Sequence, residues 1–445
     1  MRESQFEEPR MRAPQFEELR AYADDAVRQP GFADIRRRAR RVRRRRTAAS
    51  SAAAAVAVLV VTGLGYVATT GSRGGSPVAV PTPATSAADT GWPRVTSVAA
   101  TGSKDLYAVV ERCRECGPQL YASPDAGATW QRRPVPPAPD TSDTSGDVRT
   151  ALIVELGNGI LAWKERRSIK LEDLRTSPSG TTDGGRGPSA NQGLWITVDG
   201  GRTWRRAAID PEPVAAVLPG TRPVDCGLLG PASPCRIYAV NPVSGRFAPL
   251  ADQPPGITVE SGWAGQTSVP LSAGLWVPGL DPATRKPAVA ASSDGGRTWR
   301  TRVFTDGVAA EAHDGMIATM YLPTVAAGPN GTAYVLTYRA DLRKDTHRTT
   351  DGGASWVSGD SVPEVPDAGF VTADGGHVVN TGQGFLADRD GGGGYAAVTL
   401  PGFPAELRRQ VPIVSHPAAG RYLLALSPGL LLSDDGWKWR RVDTP

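Results

Sequence analysis

Three sets of residues in this chain have types that can do chemistry: four cysteines, four histidines and a series of aspartates that recurs in one phrase. The cysteines form two close pairs, Cys113/Cys116 and Cys226/Cys235. A Cys-x-x-Cys can be a redox couple or half of a zinc site. The redox motif, however, belongs to a βαβ context that is absent here, and zinc needs converging ligands from elsewhere. An even count in close pairs reads better as two local disulfides, each clipping a turn, in an oxidising compartment. The histidines stand at 313, 347, 377 and 416 without metal-ligand spacing. No metal and no cofactor is therefore expected.

The aspartates carry the stronger signal. Four copies of one phrase read Ser123-Pro-Asp125-Ala-Gly127-Ala-Thr129-Trp130, Thr197-Val-Asp199-Gly-Gly201-Arg-Thr203-Trp204, Ser292-Ser-Asp294-Gly-Gly296-Arg-Thr298-Trp299 and Thr349-Thr-Asp351-Gly-Gly353-Ala-Ser355-Trp356. A looser fifth carries Asp434, Gly436 and Trp439, and a decayed sixth runs from Asp388 through Asp390 to Tyr395. Asp and Gly between short apolar runs make a tight hairpin turn, with Gly supplying a positive φ and Asp accepting backbone N–H bonds. The Trp opens the outgoing strand and can bury its ring against a neighbouring unit. The phrase is a folding device, and its recurrence implies a repeated supersecondary unit.

It resembles the Asp-box, or BNR repeat, of sialidases, sortilin-type receptors and photosystem II assembly factors, whose pattern is Ser/Thr-x-Asp-x-Gly-x-Thr-Trp. In that family each box joins the two outer strands of a four-stranded blade, so the resemblance implies an all-β fold, a β-propeller over residues 92–445. The box aspartates are 74, 95, 57, 39 and 44 residues apart, against about 40–50 residues for a blade. The gap of 95 then hides a boxless blade around Cys235–Val240 and Gly245–Phe247. The gap of 74 holds one blade with an insertion, Glu165–Gln192. Turn-then-strand phrases at Asn158–Ala162, Asn330–Tyr334, Gly375–Val378 and Gly420–Leu424 fit inner hairpins. The expectation is seven four-stranded blades, at about 92–136, 148–210, 214–254, 256–306, 314–362, 366–403 and 408–443; six or eight fit the same lengths.

The resemblance also implies one enzyme reading, a sialidase-like exo-glycosidase. Such enzymes use an Arg on the first inner strand, two more Arg for a carboxylate, a Tyr–Glu nucleophile pair and an acidic acid/base. Here Arg94, in Trp92-Pro-Arg94-Val-Thr96, is the nearest match to the first, 31 residues before the first box Asp. Glu115, and Tyr422 with Glu260, fill the other places only without a surrounding motif. The set is incomplete.

The amino-terminal part reads as a membrane device. No charged residue occurs from Thr47 to Ser72, and Ala48–Thr70 as a helix would span ~34 Å, enough for a hydrocarbon core. Nine of the eleven residues Arg36–Arg46 are Arg, which keeps 1–46 cytoplasmic and sends the propeller outside. Residues 1–46 carry a net charge of +6 and the whole chain +5, which leaves −1 for the remainder. The main domain is thus no nucleic-acid binder, and the Arg block suits topology and anionic lipid contact. A basic tail (1–46) with an amphipathic helix at 15–27, a span (47–70), a Pro/Ser/Gly-rich linker (71–91) and the propeller complete the organisation; Met11 is an alternative start. The expected function is a non-catalytic, membrane-anchored, extracytoplasmic module for a protein or glycan.

Overall fold

The structure is a computed structural model, and it describes residues 93–113, 116–137, 149–167, 193–230, 234–310, 321–363, 369–404, 414–418, 421–426 and 429–445. The tail, the Ala48–Thr70 span, the linker, Glu115 and most of the Glu165–Gln192 insertion lie outside the described residues. Among the described residues no helix is long and apolar enough to cross a membrane.

The first sheet is an antiparallel meander of Arg94–Ala100, Leu106–Glu111, Gln119–Ser123 and Gln131–Arg133. The second joins Arg149–Gly157, Ile160–Arg167, Leu194–Thr197 and Arg205–Arg206 in the same order. Two further meanders are Phe370–Val371, His377–Asn380, Phe385–Asp388, Ala396–Val398, and Val414–Ala418, Arg421–Leu426, Gly429–Ser433, Trp439–Val442. A fifth sheet runs Thr324–Ala327, Ala333–Tyr338, Lys344–Thr349, Val357–Ser358, with Thr267–Ser268 added parallel to its first strand. The sequence explains the layering. Middle strands such as Leu106–Glu111 and Pro287–Ser292 are buried at every position because both faces are covered. Outer strands such as Arg205–Arg206 are exposed and charged, which protects a sheet edge from pairing.

The apolar cores lie between adjacent sheets. Leu120 and Trp163 join the first and second; Val95 and Ala108 pack on Leu430, Leu432 and Val442 and so join the last sheet to the first. Meanders packed face to face around a closed circuit are a β-propeller.

The expected seven four-stranded blades need correction: among the described residues five sheets reach four strands. Leu275–Leu280, Pro287–Ser292 and Arg300–Val303 form a sheet of three, extended inward by a single Thr258–Leu280 bridge. Tyr238–Val240 and Phe247–Pro249 form a sheet of two. The physical reason is local. Downstream of Pro249 there is no box to turn the chain back, and the outer edge is instead touched by upstream residues Ile209 and Val214 through parallel bridges.

Candidate functional site

Every box lies on the turn between the outermost strand of its sheet and the strand before it. In the first, Ser123 donates to Asp125 (2.8 Å) while accepting from the Gly127 N–H (2.7 Å). Asp125 also accepts from the Thr129 N–H (2.8 Å) and the Thr129 hydroxyl (2.6 Å). The bonds recur at Asp199, Asp294 and Asp351, with Ser355 in place of Thr at the last. The hydroxyl of Thr129, then its N–H and Ser123, hold Asp125 down at about 2. At Asp199 burial pushes the carboxyl up, but bonds from Thr203 and Thr197 outweigh it and the value again falls to about 2. Asp294 and Asp351 are lowered further, first by the hydroxyls of Thr298 and Ser355. These carboxylates are saturated with donors from their own turns and are in no position to transfer protons.

The box glycines do more than turn the chain. Gly127 has φ +90°, and a Cβ there would fall 2.2 Å from Val442 Cγ1 of the last blade. The Trp side chains explain why the approach is so close. Trp130 donates its indole N–H to the Asp443 carbonyl, Trp204 to Pro134 and Trp299 to Asp252, each in the preceding unit. The following Arg reaches the other way: Arg205 donates to the Val243 carbonyl, Arg300 to Asp351 and Arg440 to Ala126. A Trp-Arg dipeptide thus fastens a blade to both neighbours. Trp356 and Trp439 bond instead to carbonyls of their own boxes, Gly353 and Gly436, and pack on aromatic rings of the unit before.

The fifth phrase is one residue shorter than expected. Ser433 and the N–H groups of Trp437 and Lys438 donate to Asp435, so Asp435 holds the place assigned to Asp434. In the decayed sixth, Asp388 stands where other boxes have Ser or Thr and accepts from the Gly393 N–H (3.1 Å). Tyr395 replaces Trp there, and its hydroxyl lies 2.5 Å from His377 Nδ1.

The residues considered for glycoside chemistry sit in three different settings. Arg94 is exposed at the start of the first inner strand, directly opposite Glu111. Glu111 was not foreseen; it is buried, and burial raises its carboxyl while Arg94 lowers it. Tyr422 is buried against Phe370 and Trp439, donates to the Val371 carbonyl (2.6 Å), and is pushed well up by burial. Such a phenol does not ionise readily. Glu260 faces Arg285 at 3.4 Å.

Both cysteine pairs are disulfides, Cys113–Cys116 and Cys226–Cys235. Asp225 lies with Cys226 and Cys235 in the one metal-like cluster among the described residues, but sulfurs bonded to each other offer no thiolate. Asp225 instead accepts from the Gly227 N–H (2.7 Å) and the Ala264 N–H (3.1 Å). His347 is buried, contacts Thr337 and Ser358 hydroxyls and lies 4.4 Å from the Phe304 ring. Burial lowers it to about 4.

One feature of the axis was not anticipated. Thr267–Ser268 pairs on the inner side of Thr324–Ala327, the segment Thr267–Ala273 touches Val414–Ala418 of the last blade, and Val269 accepts from Arg222. A segment that meets inner edges on several sides lies in the central channel. One missed repeat was visible in the sequence: Asn241-Pro-Val-Ser-Gly245-Arg246 and Asp281-Pro-Ala-Thr-Arg285-Lys286. Both make the same hairpin turn, with Gly245 and Arg285 at φ +63° and +56° and N–H bonds back to Asn241 and Asp281.

The chain matches no protein-family profile and no curated protein sequence. Among solved structures it is similar to YCF48 bound to D1 peptide, 14% identical over 78% of this chain and 82% of that one, TM-score 0.28. It is similar to an Aleuria aurantia lectin in complex with Fucalpha1-6GlcNAc, 10% identical over 79% and 97%, TM-score 0.30. It is also similar to the Hadza microbial sialidase Hz136, 13% identical over 79% and 65%, TM-score 0.30. Likenesses at this level leave the propeller resting on its own strand order.

Proposed function

We propose that this protein is a membrane-anchored propeller that binds an extracytoplasmic protein or glycan and does not hydrolyse it. The observation that carries the reading is the separate engagement of the residues a glycosidase would have to bring together. The Tyr422 hydroxyl serves the Val371 carbonyl inside the core, Glu260 faces Arg285, and Arg94 faces Glu111. Catalysis depends on positioned groups acting as one set, and incomplete sets lose orders of magnitude in rate. The four close boxes are accounted for by turn and inter-blade bonding.

The full chain, purified in detergent, should leave a fluorogenic sialoside and a panel of other glycosides intact. Turnover abolished by Arg94→Ala would overturn the reading in favour of a sialidase-like exo-glycosidase. Attachment through Ala48–Thr70, with the Arg36–Arg46 block inside against anionic lipid, belongs to the same proposal and rests on the charge pattern and on disulfides suited to an oxidising compartment. Protease added to intact protoplasts should digest the propeller and spare the tail; protection of the propeller would reverse the topology.

A further inference from the structure

The segment lying in the central channel is held at two points by the third unit. Arg222 donates to the Val269 carbonyl and faces Glu155 at 3.4 Å. Asp225 has a double duty. One oxygen caps the single-turn helix Cys226–Leu229 through the Gly227 N–H, and the other accepts the Ala264 N–H of the turn Trp263–Gln266 that leads into the channel segment. A single helical turn has little stability of its own, and this one is closed covalently by Cys226–Cys235. Cys226 is fully buried, whereas Cys235 is half-buried. The Asp225 carboxylate and both sulfurs lie within 4.8 Å of one another.

We propose that Cys226–Cys235 is the latch of an axial plug, and that its reduction by a dithiol releases residues 262–269 from the inner wall. A thiolate of the dithiol attacks the accessible Cys235 sulfur and expels the Cys226 thiolate. The second thiol of the reagent then displaces Cys235 as it closes its own disulfide. Two electrons pass to the cysteine pair, two protons finish on Cys226 and Cys235, and the dithiol leaves oxidised. As a disulfide the pair has no hydrogen to donate, so both Asp225 oxygens serve Gly227 and Ala264. As thiols, two S–H groups compete for the same carboxylate while the helix loses its closure. A second observation places the weak seam at the plug: the hydroxyls of Ser268 and Thr324 are buried there with no hydrogen-bond partner among the described residues. Buried hydroxyls are normally satisfied, and such a pair marks a junction that separates at lower cost than a sealed core. The inference is independent of what the propeller binds.

Hydrogen exchange of the full chain, read by mass spectrometry, tests it. In Cys226→Ser/Cys235→Ser, and in wild type held in excess dithiol, amides of 262–269 should exchange at least about tenfold faster, with Arg94–Ala100 and Leu275–Leu280 unchanged. Cys113→Ser/Cys116→Ser should leave 262–269 as in wild type. Asp225→Ala removes the bond through which the latch holds these residues and should accelerate the same amides; wild type held in excess dithiol provides the test should the double variant fail to fold. Exchange at 262–269 in wild type held in excess dithiol within about twofold of the untreated protein, or acceleration spread evenly over all sheets, would overturn the proposal.

Discussion

In the first blade the outer turn is tied by Asp125, Ser123 and Thr129, and Trp130 carries that order across to the Asp443 carbonyl of the last blade. In the sheet Tyr238–Pro249 nothing of this exists. Its strands are steadied by the side-chain amide of Gln253, which bonds to Ile237 and Leu250, by the Asn241 turn and by a disulfide. It receives the Arg205 and Trp299 bonds of its neighbours and sends out no Trp of its own. The contrast teaches that the box works between blades as much as within one. A unit without a box survives because both neighbours still reach it, and its missing outer strand is the cost.

The sharpest way to break that comparison is through the tryptophans. Trp439 is only 5% exposed and packs against Phe370, Phe403 and Tyr422. Trp439→Ala should cost about 3–5 kcal/mol in chemical denaturation, the range for a large buried ring. Trp299 is half-buried with one bond to Asp252, and Trp299→Ala should cost roughly half as much. Equal losses would mean that the inter-blade bond, rather than buried area, sets the contribution.

The acid response distinguishes buried interfaces from boxes. His347 sits at about 4 in the folded protein, below its ordinary unfolded value near 6.5. Between those values the unfolded chain binds the extra proton, so stability is full above pH ~6.5 and falls as the pH drops to ~4, by roughly 3 kcal/mol. The box carboxylates act lower: Asp125, at about 2, stabilises above the ordinary carboxylate range near 4 and loses that contribution as pH falls toward 2. His347→Gln should therefore flatten the pH 4–6.5 limb and leave the lower limb. A wild-type stability constant from pH 7 to 4.5 would refute the His347 assignment.

The boxes made the propeller legible because Asp-x-Gly-x-Thr-Trp fixes a turn and an inter-blade contact together. Asp434 was misplaced for the same reason: the template allows no shortened turn, whereas the backbone N–H groups of Trp437 and Lys438 select Asp435 by reach alone. The third unit was located by length, but its missing strands were not legible, since the Ile209 and Val214 bridges pair residues far apart in sequence. The axial segment was hidden likewise. Its placement depends on Arg222 and Asp225 carbonyl and N–H contacts, and no spacing rule announces those. Arg94 could be placed on the first inner strand from sequence, while its opposite number Glu111 follows only from strand register.

The smallest expected effect concerns the hydroxyl inside a box. The Asp294 carboxyl is lowered first by the Thr298 hydroxyl, then by the Thr298 N–H and Ser292. The Asp281 turn, which is no box, uses the Thr284 hydroxyl in the same way and lowers its carboxyl too. Thr298→Val keeps the shape and the N–H but removes the hydroxyl donor. The pKa of Asp294, followed by side-chain NMR, should then move up toward the ordinary range while that of Asp281 stays lowered. Because less stabilisation remains to be lost below pH ~4, the acid limb of wild type and variant should converge at low pH and separate slightly above it. An Asp294 pKa unchanged in Thr298→Val would assign the effect to backbone N–H groups and Ser292. The third box would then differ from the Asp281 turn in its donors as well as in carrying Trp299 to its neighbour.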